Sequence, residues 1–308
     1  MRGYSSSIGL DIRLNEIRFI HLRYINNVPR IETMECIALP ANAIVEGRIK
    51  LFEQVSQTLR TLVQKTHTQH FPTCIALPAQ SVISKRFEWP NKLTPKEQKF
   101  RVEEQLIGYF PGFSHELCYD YTILSERNNS HTHVLLVATR QEQLNDYIRV
   151  AEQAGLSVKI VDIDMYALAR AACVAMIKKM DVSPIGILHM DIHSTLFIVV
   201  HDNEVTYYSQ WNNTIAEETL TTLSNTIQLW HTTYPQLQLN NLYLSGDPGH
   251  LSNILPKIQS TLQIKLNLLQ FSQEKINVNR AIYFEKTNML LEKMMVCFGL
   301  ALRRMPKW

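Results

Sequence analysis

The sequence predicts an α/β protein built of two duplicated halves around a cleft, with a small α/β unit inserted in the first half. Two observations carry this. One is a pair of similar β-hairpins near the starts of the two halves. Ser7–Asp11 turns through Ile12–Asn15 into Glu16–Leu22, and Gly186–Asp191 turns through Ile192–Thr195 into Leu196–His201. In both an aspartate ends the first strand, in Gly9-Leu10-Asp11-Ile12 and in His189-Met190-Asp191-Ile192. The other is length, because 308 residues exceed what one hydrophobic core usually holds.

The elements follow in order. After the first hairpin, Ile31–Leu39 alternates as a third strand, and Ile49–Gln64 carries Leu51, Val55, Leu59, Leu62 and Val63 at helical spacing. Thr73–Leu77 reads as a buried strand and Val82–Trp89 as another. The inserted unit, Phe87–Asp162, reads α-β-β-α-β. Thr94-Pro95-Lys96-Glu97 is a capping box that starts a helix with Phe100, Leu106, Ile107 and Phe110 inward, ended by Pro111-Gly112. Leu117–Leu124 and His133–Thr139 are strands joined by the polar loop Ser125–Thr132. Thr139–Glu142 is a second capping box, opening a helix with Leu144, Tyr147, Ile148 and Ala151 inward that Gly155 closes, and Ser157–Asp162 is a strand.

Asp164 then caps the helix DMYALARAACVAMI, which leads to the second hairpin and a short strand, Val205–Ser209. Thr214–Glu217 is a third capping box, starting a helix through Trp230. Leu239–Ser245 is a strand, Asp247-Pro248 starts a helix, and Ile264–Leu269 is a strand. A final amphipathic helix covers Thr287–Arg303, with Leu290, Leu291, Met294, Met295, Phe298 and Leu302 on one face.

Bulk properties exclude several classes. The formal charge of +3 is small and dispersed, which argues against nucleic acid. Cys36, Cys74, Cys118, Cys173 and Cys297 share no CxxC spacing, so neither a disulfide framework nor a zinc site is expected. The opening MRGYSSSIGLDI lacks an apolar signal segment, and no stretch approaches the ~18–20 apolar residues of a membrane span. A cytoplasmic protein is expected, with membrane contact only through partners. Walker A, GxSxG and HExxH patterns are absent from the sequence. His131 and His133 lack metal-ligand spacing, and Ser5-Ser6-Ser7 reads as a frayed terminus. Met294, Met295 and Met305 are read as core packing, and the basic tail from Arg303 to Trp308 is too short to argue for a lipid surface.

Four landmarks occur in order: SIGLDI, QAGLSVKIVDIDMYALARA, GILHMDIHST and LYLSGDPGHL, with a closing CFGLALRR. The paired hairpins resemble the phosphate-1 and phosphate-2 loops of the actin-like ATPase superfamily, which has the ribonuclease H-like fold. The ordered set, over essentially the whole chain, resembles the PilM family, the actin-like cytoplasmic components of type IV pilus assembly. The resemblance implies that 1–86 plus 163–184 form the first actin-like subdomain, and that 87–162 form the extra subdomain PilM shares with its relative FtsA. It implies that 185–308 form the second, with its own insertion largely missing. It also implies a scaffold at the inner face of the inner membrane, part of the pilus assembly platform. Such a scaffold binds the short cytoplasmic tail of a PilN-like protein in the groove beside the inserted unit.

In the superfamily an aspartate of each hairpin positions the nucleotide's metal through water, and a glycine two residues on lets the backbone approach phosphate. Asp11 and Asp191 stand here, but Arg13 and His193 replace the glycines. Asn15, Ser194 and Thr195 remain as donors, and Ser245-Gly246 keeps the turn that resembles the adenosine motif. Asp247 stands where a further glycine is common, and an acid there repels a triphosphate. Arg13 reads either as a substitute phosphate-binding cation or, more simply, as a solvated hairpin residue. The chain also runs from Tyr207-Tyr208-Ser209-Gln210-Trp211 almost directly into the next helix, so the adenine-side wall is expected to be missing or drastically reduced.

Two hypotheses follow. The first is a scaffold with a degenerate nucleotide site that needs neither ATP nor metal. The second is an actin-like ATPase whose Mg-ATP state regulates pilus or type II secretion assembly. For the partner, the edge of Val82–Trp89 offers strand addition, and Phe87, Trp89, Phe100 and Tyr109 are candidate aromatic anchors that serve equally as the inserted unit's own core.

Overall fold

A computed structural model describes residues 6–26, 28–91, 93–109, 116–128, 131–176, 183–213, 215–262, 264–269, 277–279 and 287–303. The first half opens with β1 (Ser6–Ile12), β2 (Glu16–Ile25), β3 (Val28–Ala38), the small hairpin β4 (Ile44–Val45) and β5 (Arg48–Ile49), α1 (Phe52–Lys65) and β6 (Pro72–Leu77). Next come β7 (Val82–Pro90), α2 (Pro95–Tyr109), β8 (Leu117–Asn128), β9 (His131–Arg140), α3 (Gln141–Gln153), β10 (Ser157–Ile163) and α4 (Asp164–Ala175). The second half holds β11 (Ile185–Met190), β12 (Ser194–His201), β13 (Glu204–Asn212), α5 (Ala216–Thr233), β14 (Asn241–Gly246), α6 (Pro248–Thr261) and β15 (Lys265–Leu268). The chain continues with β16 (Asn277–Val278), α7 (Thr287–Lys293) and α8 (Met295–Ala301).

Two large sheets form the frame. The first has the order β10-β6-β1-β2-β3-β16 and the second β13-β12-β11-β14-β15. Each centres on one of the expected hairpins, with Asp11 opposite Arg18 in β1–β2 and Met190 opposite Thr195 in β11–β12. In both, a parallel strand pairs with the hairpin's first strand, β6 with β1 and β14 with β11. Parallel strands need covered faces, and every residue of β6 and β11 is buried. A third sheet, β7-β9-β8, packs α2 around its own core of Trp89, Val102, Leu106, Val134, Leu136 and Ala138.

Several expectations are corrected here. The sequence assigns the α3 helix and the following strand to the inserted unit. Instead β10 pairs with β6, and Tyr147, Val150 and Ala151 of α3 bury in the core of the first sheet. Ile49 belongs to a hairpin rather than to α1. Val102 and Leu106 face the core of the third sheet, whereas Phe100 and Ile107 are 64% and 58% exposed. Thr139 does not cap α3; its hydroxyl donates to the Ser81 carbonyl at 2.9 Å. Asp164 is the first residue of α4 rather than its cap, and its carboxylate accepts from the Ala79 N–H at 2.9 Å. Two start signals hold. Thr94 and Glu97 exchange bonds, with the Thr94 N–H donating to Glu97 Oε2 at 2.7 Å. Asp247 accepts from the His250 N–H at 3.1 Å, with Pro248 next. Ser5, Phe110, Pro111-Gly112, Thr214 and the tail after Arg303, Met305 included, lie outside the described residues.

The final helix is neither continuous nor amphipathic. It breaks at Met294, and every residue of α8 is buried. This helix lies against β1, β2 and α4, so it joins the core of the first sheet although it follows the second. Two glycines make that possible. A Cβ on Gly9 would stand 2.0 Å from the Cys297 carbonyl oxygen, and one on Gly299 would stand 1.8 Å from that of Ala167. The Ser7 hydroxyl donates to the Ala301 carbonyl at 2.6 Å, closing the contact.

Candidate functional site

The two hairpin turns converge, and their aspartates meet two arginines. Arg13 follows Asp11 by two residues on the β1–β2 turn, whose geometry is fixed by the Arg13 N–H donating to the Glu16 carbonyl at 2.9 Å. Its guanidinium folds back to donate to Asp11 Oδ2 at 2.8 Å and to Asp164 Oδ2 at 3.3 Å, and lies 3.9 Å from Asp191 Oδ2. With its side chain 10% exposed, Arg13 is not a solvated hairpin residue. Three carboxylates surround its charge, and its Nη2 is buried without a hydrogen-bond partner.

Arg18 forms the other half of the cluster. Its side chain is 2% exposed. It donates to Asp191 Oδ1 at 2.5 Å, to Glu16 Oε1 at 2.7 Å and to the Lys293 carbonyl at 2.9 Å. The Lys293 ammonium in turn reaches Glu16 Oε2 at 2.6 Å and lies 3.7 Å from Asp247. His189 Nδ1 sits 2.9 Å from the Ser245 hydroxyl, and its Nε2 lies 3.5 Å from Asp191 Oδ1.

The charges set one another's protonation. Burial opposes ionisation of Asp191, but the Arg18 guanidinium with His189 and Arg13 nearby holds its carboxyl well below the usual range. Burial dominates at Asp164 and pushes its carboxyl up to about 6 despite Arg13 and the N–H of Ala79. Burial likewise holds His189 neutral, with its pKa pushed down to about 3. Ion pairs of this kind stand only when most charges and lone pairs are answered, which is the case here.

Of the expected donors Thr195 is engaged within the turns, and Ser194 and Asn15 contribute their carbonyls there as acceptors. Asp191 N–H donates to the Ser194 carbonyl at 2.9 Å, and the Thr195 hydroxyl donates to Asn213 Oδ1 at 2.6 Å. Ser245 is fully buried against His189, and the Asn15 carbonyl accepts from the Leu39 N–H at 2.7 Å. Gly246 has φ +125°, and a Cβ there would stand 2.0 Å from the Met190 carbonyl oxygen. Its glycine thus serves the β11–β14 contact. His193 is exposed at the turn tip. The cavity left between the turns, lined by Arg13, Asn15, Arg18, Asp191 and His193 among others, is about 40 Å³. Small-molecule pockets typically run to ~300–1,000 Å³. The residues present do not fit a metal–triphosphate.

Sequence reasoning found Asp11, Arg13 and Asp191 but missed Arg18, Glu16, Asp164, His189 and Lys293. One signal was available. Arg18 falls between Ile17 and Phe19 in a strand flanked by two others, where an unpaired charge has no place.

A second concavity, about 580 Å³, lies beside the third sheet. Its walls come from β8 and β9 (Leu124, Leu135, Val137), edge strand β10 (Val161, Ile163), α4 (Tyr166, Val174) and the start of β13 (Glu204, Val205). Arg86 crosses to the second half, pairing with Glu204 at 3.1 Å and donating to the Val205 carbonyl at 2.7 Å. Asp162 holds Arg170 at 2.8 Å and lies 3.6 Å from Arg303. None of the four candidate aromatic anchors lines this groove. Trp89 is 3% exposed in the core, and Phe87 stacks on it edge-on at 5.7 Å, so the expectation of Trp89 as an anchor fails on burial. Phe100 and Tyr109 are exposed on α2, Tyr109 beneath the Lys85 ammonium.

The family model for type IV pilus assembly protein PilM matches residues 9–214. Among solved structures, the PilM-PilN type IV pilus biogenesis complex is similar at 18% identity and a TM-score of 0.82, over 98% of this chain and 99% of that one. A Bacteroides thetaiotaomicron protein with an actin-like ATPase fold matches at 10% identity and TM-score 0.52, covering 96% and 97%. Ethanolamine utilization protein EutJ from Carboxydothermus hydrogenoformans matches at 11% and 0.53, covering 96% and 89%. The fold is actin-like, as expected.

Proposed function

This chain belongs to the PilM family of type IV pilus assembly proteins, and from that premise we propose that it is a scaffold without nucleotide chemistry. It binds the cytoplasmic tail of a PilN-like protein and is held by that partner at the inner face of the inner membrane. Among the described residues no helix is long and apolar enough to cross a membrane, which fits attachment through partners. In this reading the inserted unit is confined to Val82–Arg140, and β16 and α8 complete the first subdomain.

The observation that carries the nucleotide half of the reading is the Arg13–Arg18 cluster. Two guanidiniums answer the carboxylates that the superfamily uses to place a metal, so closing the cleft needs no ligand. The groove of about 580 Å³ supports the partner half. Its apolar floor with charged rims suits a short extended segment, and the free edge of β10 offers main-chain hydrogen bonds.

Calorimetric titration tests both halves, with Mg-ATP in one cell and a peptide of the PilN-like tail in another. The expected result is heat from the peptide alone. Mg-ATP binding that Asp191→Ala abolishes would overturn the nucleotide half, and no peptide binding would overturn the partner half.

A further inference from the structure

The groove beside the third sheet is lined by six charged side chains, and four of them answer one another. Arg86 pairs with Glu204 at 3.1 Å, and Arg170 pairs with Asp162 at 2.8 Å. Asp120 and Arg303 are left over. Asp120 stands on β8 directly across from Val137 and two residues before Thr122, so it falls on the strand face turned to the groove. Its Oδ1 accepts the N–H of Tyr121 at 2.8 Å, and among the described residues no cation pairs with it. Arg303 stands on another wall, just past the end of α8 and 3.6 Å from Asp162. That carboxylate is already engaged, its Oδ2 by Arg170 and its Oδ1 by the N–H of Ile163 at 2.9 Å. Arg303, 47% exposed, therefore leaves an excess positive charge beside β10.

One wall of the groove thus carries an unanswered negative charge and another an unanswered positive charge, with apolar side chains making up much of the lining between them. Resting on the reading of this groove as the tail's site, we propose that Asp120 and Arg303 are its specificity-determining residues. The segment they select is an extended apolar stretch with one basic side chain for Asp120 and one acidic side chain for Arg303. Two unlike charges at two places also fix the direction in which the segment lies. Reversing it would set base against Arg303 and acid against Asp120, and like charges brought together reject the wrong arrangement. Partly exposed charges of this kind add little to total affinity, so their effect falls on discrimination and on the rate of encounter.

Equilibrium binding of the full chain to a peptide of the PilN-like tail, and to versions with each charged residue reversed in turn, tests this. Asp120→Asn keeps an acceptor for the Tyr121 N–H and should bind the natural tail ~3-fold more weakly. Asp120→Lys should bind it at least ~10-fold more weakly at low salt, the loss shrinking as salt is raised. Its side chain is exposed, so the melting temperature should match the wild type. Asp120→Lys should recover a peptide in which one basic residue is made Glu, and Arg303→Glu a peptide in which one acidic residue is made Lys. A wild type that binds no tail peptide would overturn the groove reading and this selectivity with it. Wild-type binding that is indifferent to both charge reversals would overturn the selectivity alone, and so would losses that no reversed peptide recovers.

Discussion

Arg18 and Asp191 meet at 2.5 Å although 173 positions of sequence separate them. Arg18 stands on the second strand of the first sheet and Asp191 at the end of the first hairpin strand of the second, so this one contact joins the two halves at the base of the cleft. Removing the guanidinium leaves Asp191 and Glu16 buried without their main counter-charge. Arg18→Ala should therefore lose ~3–5 kcal/mol of stability by chemical denaturation. Arg18→Lys should fall between the two proteins, because an ammonium cannot reach both carboxylates in the fork geometry.

Stability should also depend on pH through His189. Its folded pKa is pushed down to about 3, burial being the main cause, while an unfolded histidine takes its proton near ~6.5. Between those values the unfolded chain binds more protons, so stability drops as pH is lowered from about 6.5 toward 3, by up to ~1.4 kcal/mol per unit. His189→Asn keeps an amide beside Ser245 and removes the titration. The variant should show a shallower slope of unfolding free energy against pH. Asp164, raised to about 6, titrates with the opposite sign in both proteins, so their difference isolates His189.

Much of this fold was legible because its signals are local. The hairpins announce themselves by alternation and turn residues, and the starts of α2 and α6 by Thr94–Glu97 and Asp247-Pro248. The cluster was not legible for the opposite reason. Arg18 touches Lys293 from 275 positions away and Arg13 touches Asp164 from 151, and no spacing rule reaches so far. Asp164 was misread because an acid at a helix start usually caps it, whereas this one answers Ala79 and Arg13. Phe100 and Ile107 were misread because helical spacing gives a face but not which of two apolar faces is inward.

In the groove, Val137 and Val161 form part of the apolar floor. Val137→Glu should weaken tail binding at least ~10-fold, or about 1.4 kcal/mol, by putting an unpaired charge where the peptide excludes water. The same variant should leave the Arg13–Arg18 cluster intact, read as an unchanged pH profile of unfolding.

Two glycines offer a paired test of packing. Gly9→Ala drives a methyl into the Cys297 carbonyl and should be among the most damaging single changes, above ~4 kcal/mol or failing to yield soluble protein. Gly108→Ala meets open space near the end of α2 and should raise stability by ~0.5–1 kcal/mol. Thermal melts of both variants beside the wild type check the sign as well as the size.

The seating of α8 against Gly9 has a consequence for the chain as it leaves the ribosome. Ser7 bonds to Ala301 across 294 positions, and the first sheet's core includes Met294, Phe298 and Leu300. A nascent chain that has finished β10 and α4 owns every large strand of that sheet yet lacks the helix that covers one of its sides. Contacts of such long range are slow to form, and an uncovered sheet is prone to stick to its neighbours. The first half is begun early in synthesis and sealed late, so a ribosome that stalls after α6 would hold out an open sheet for chaperones to guard.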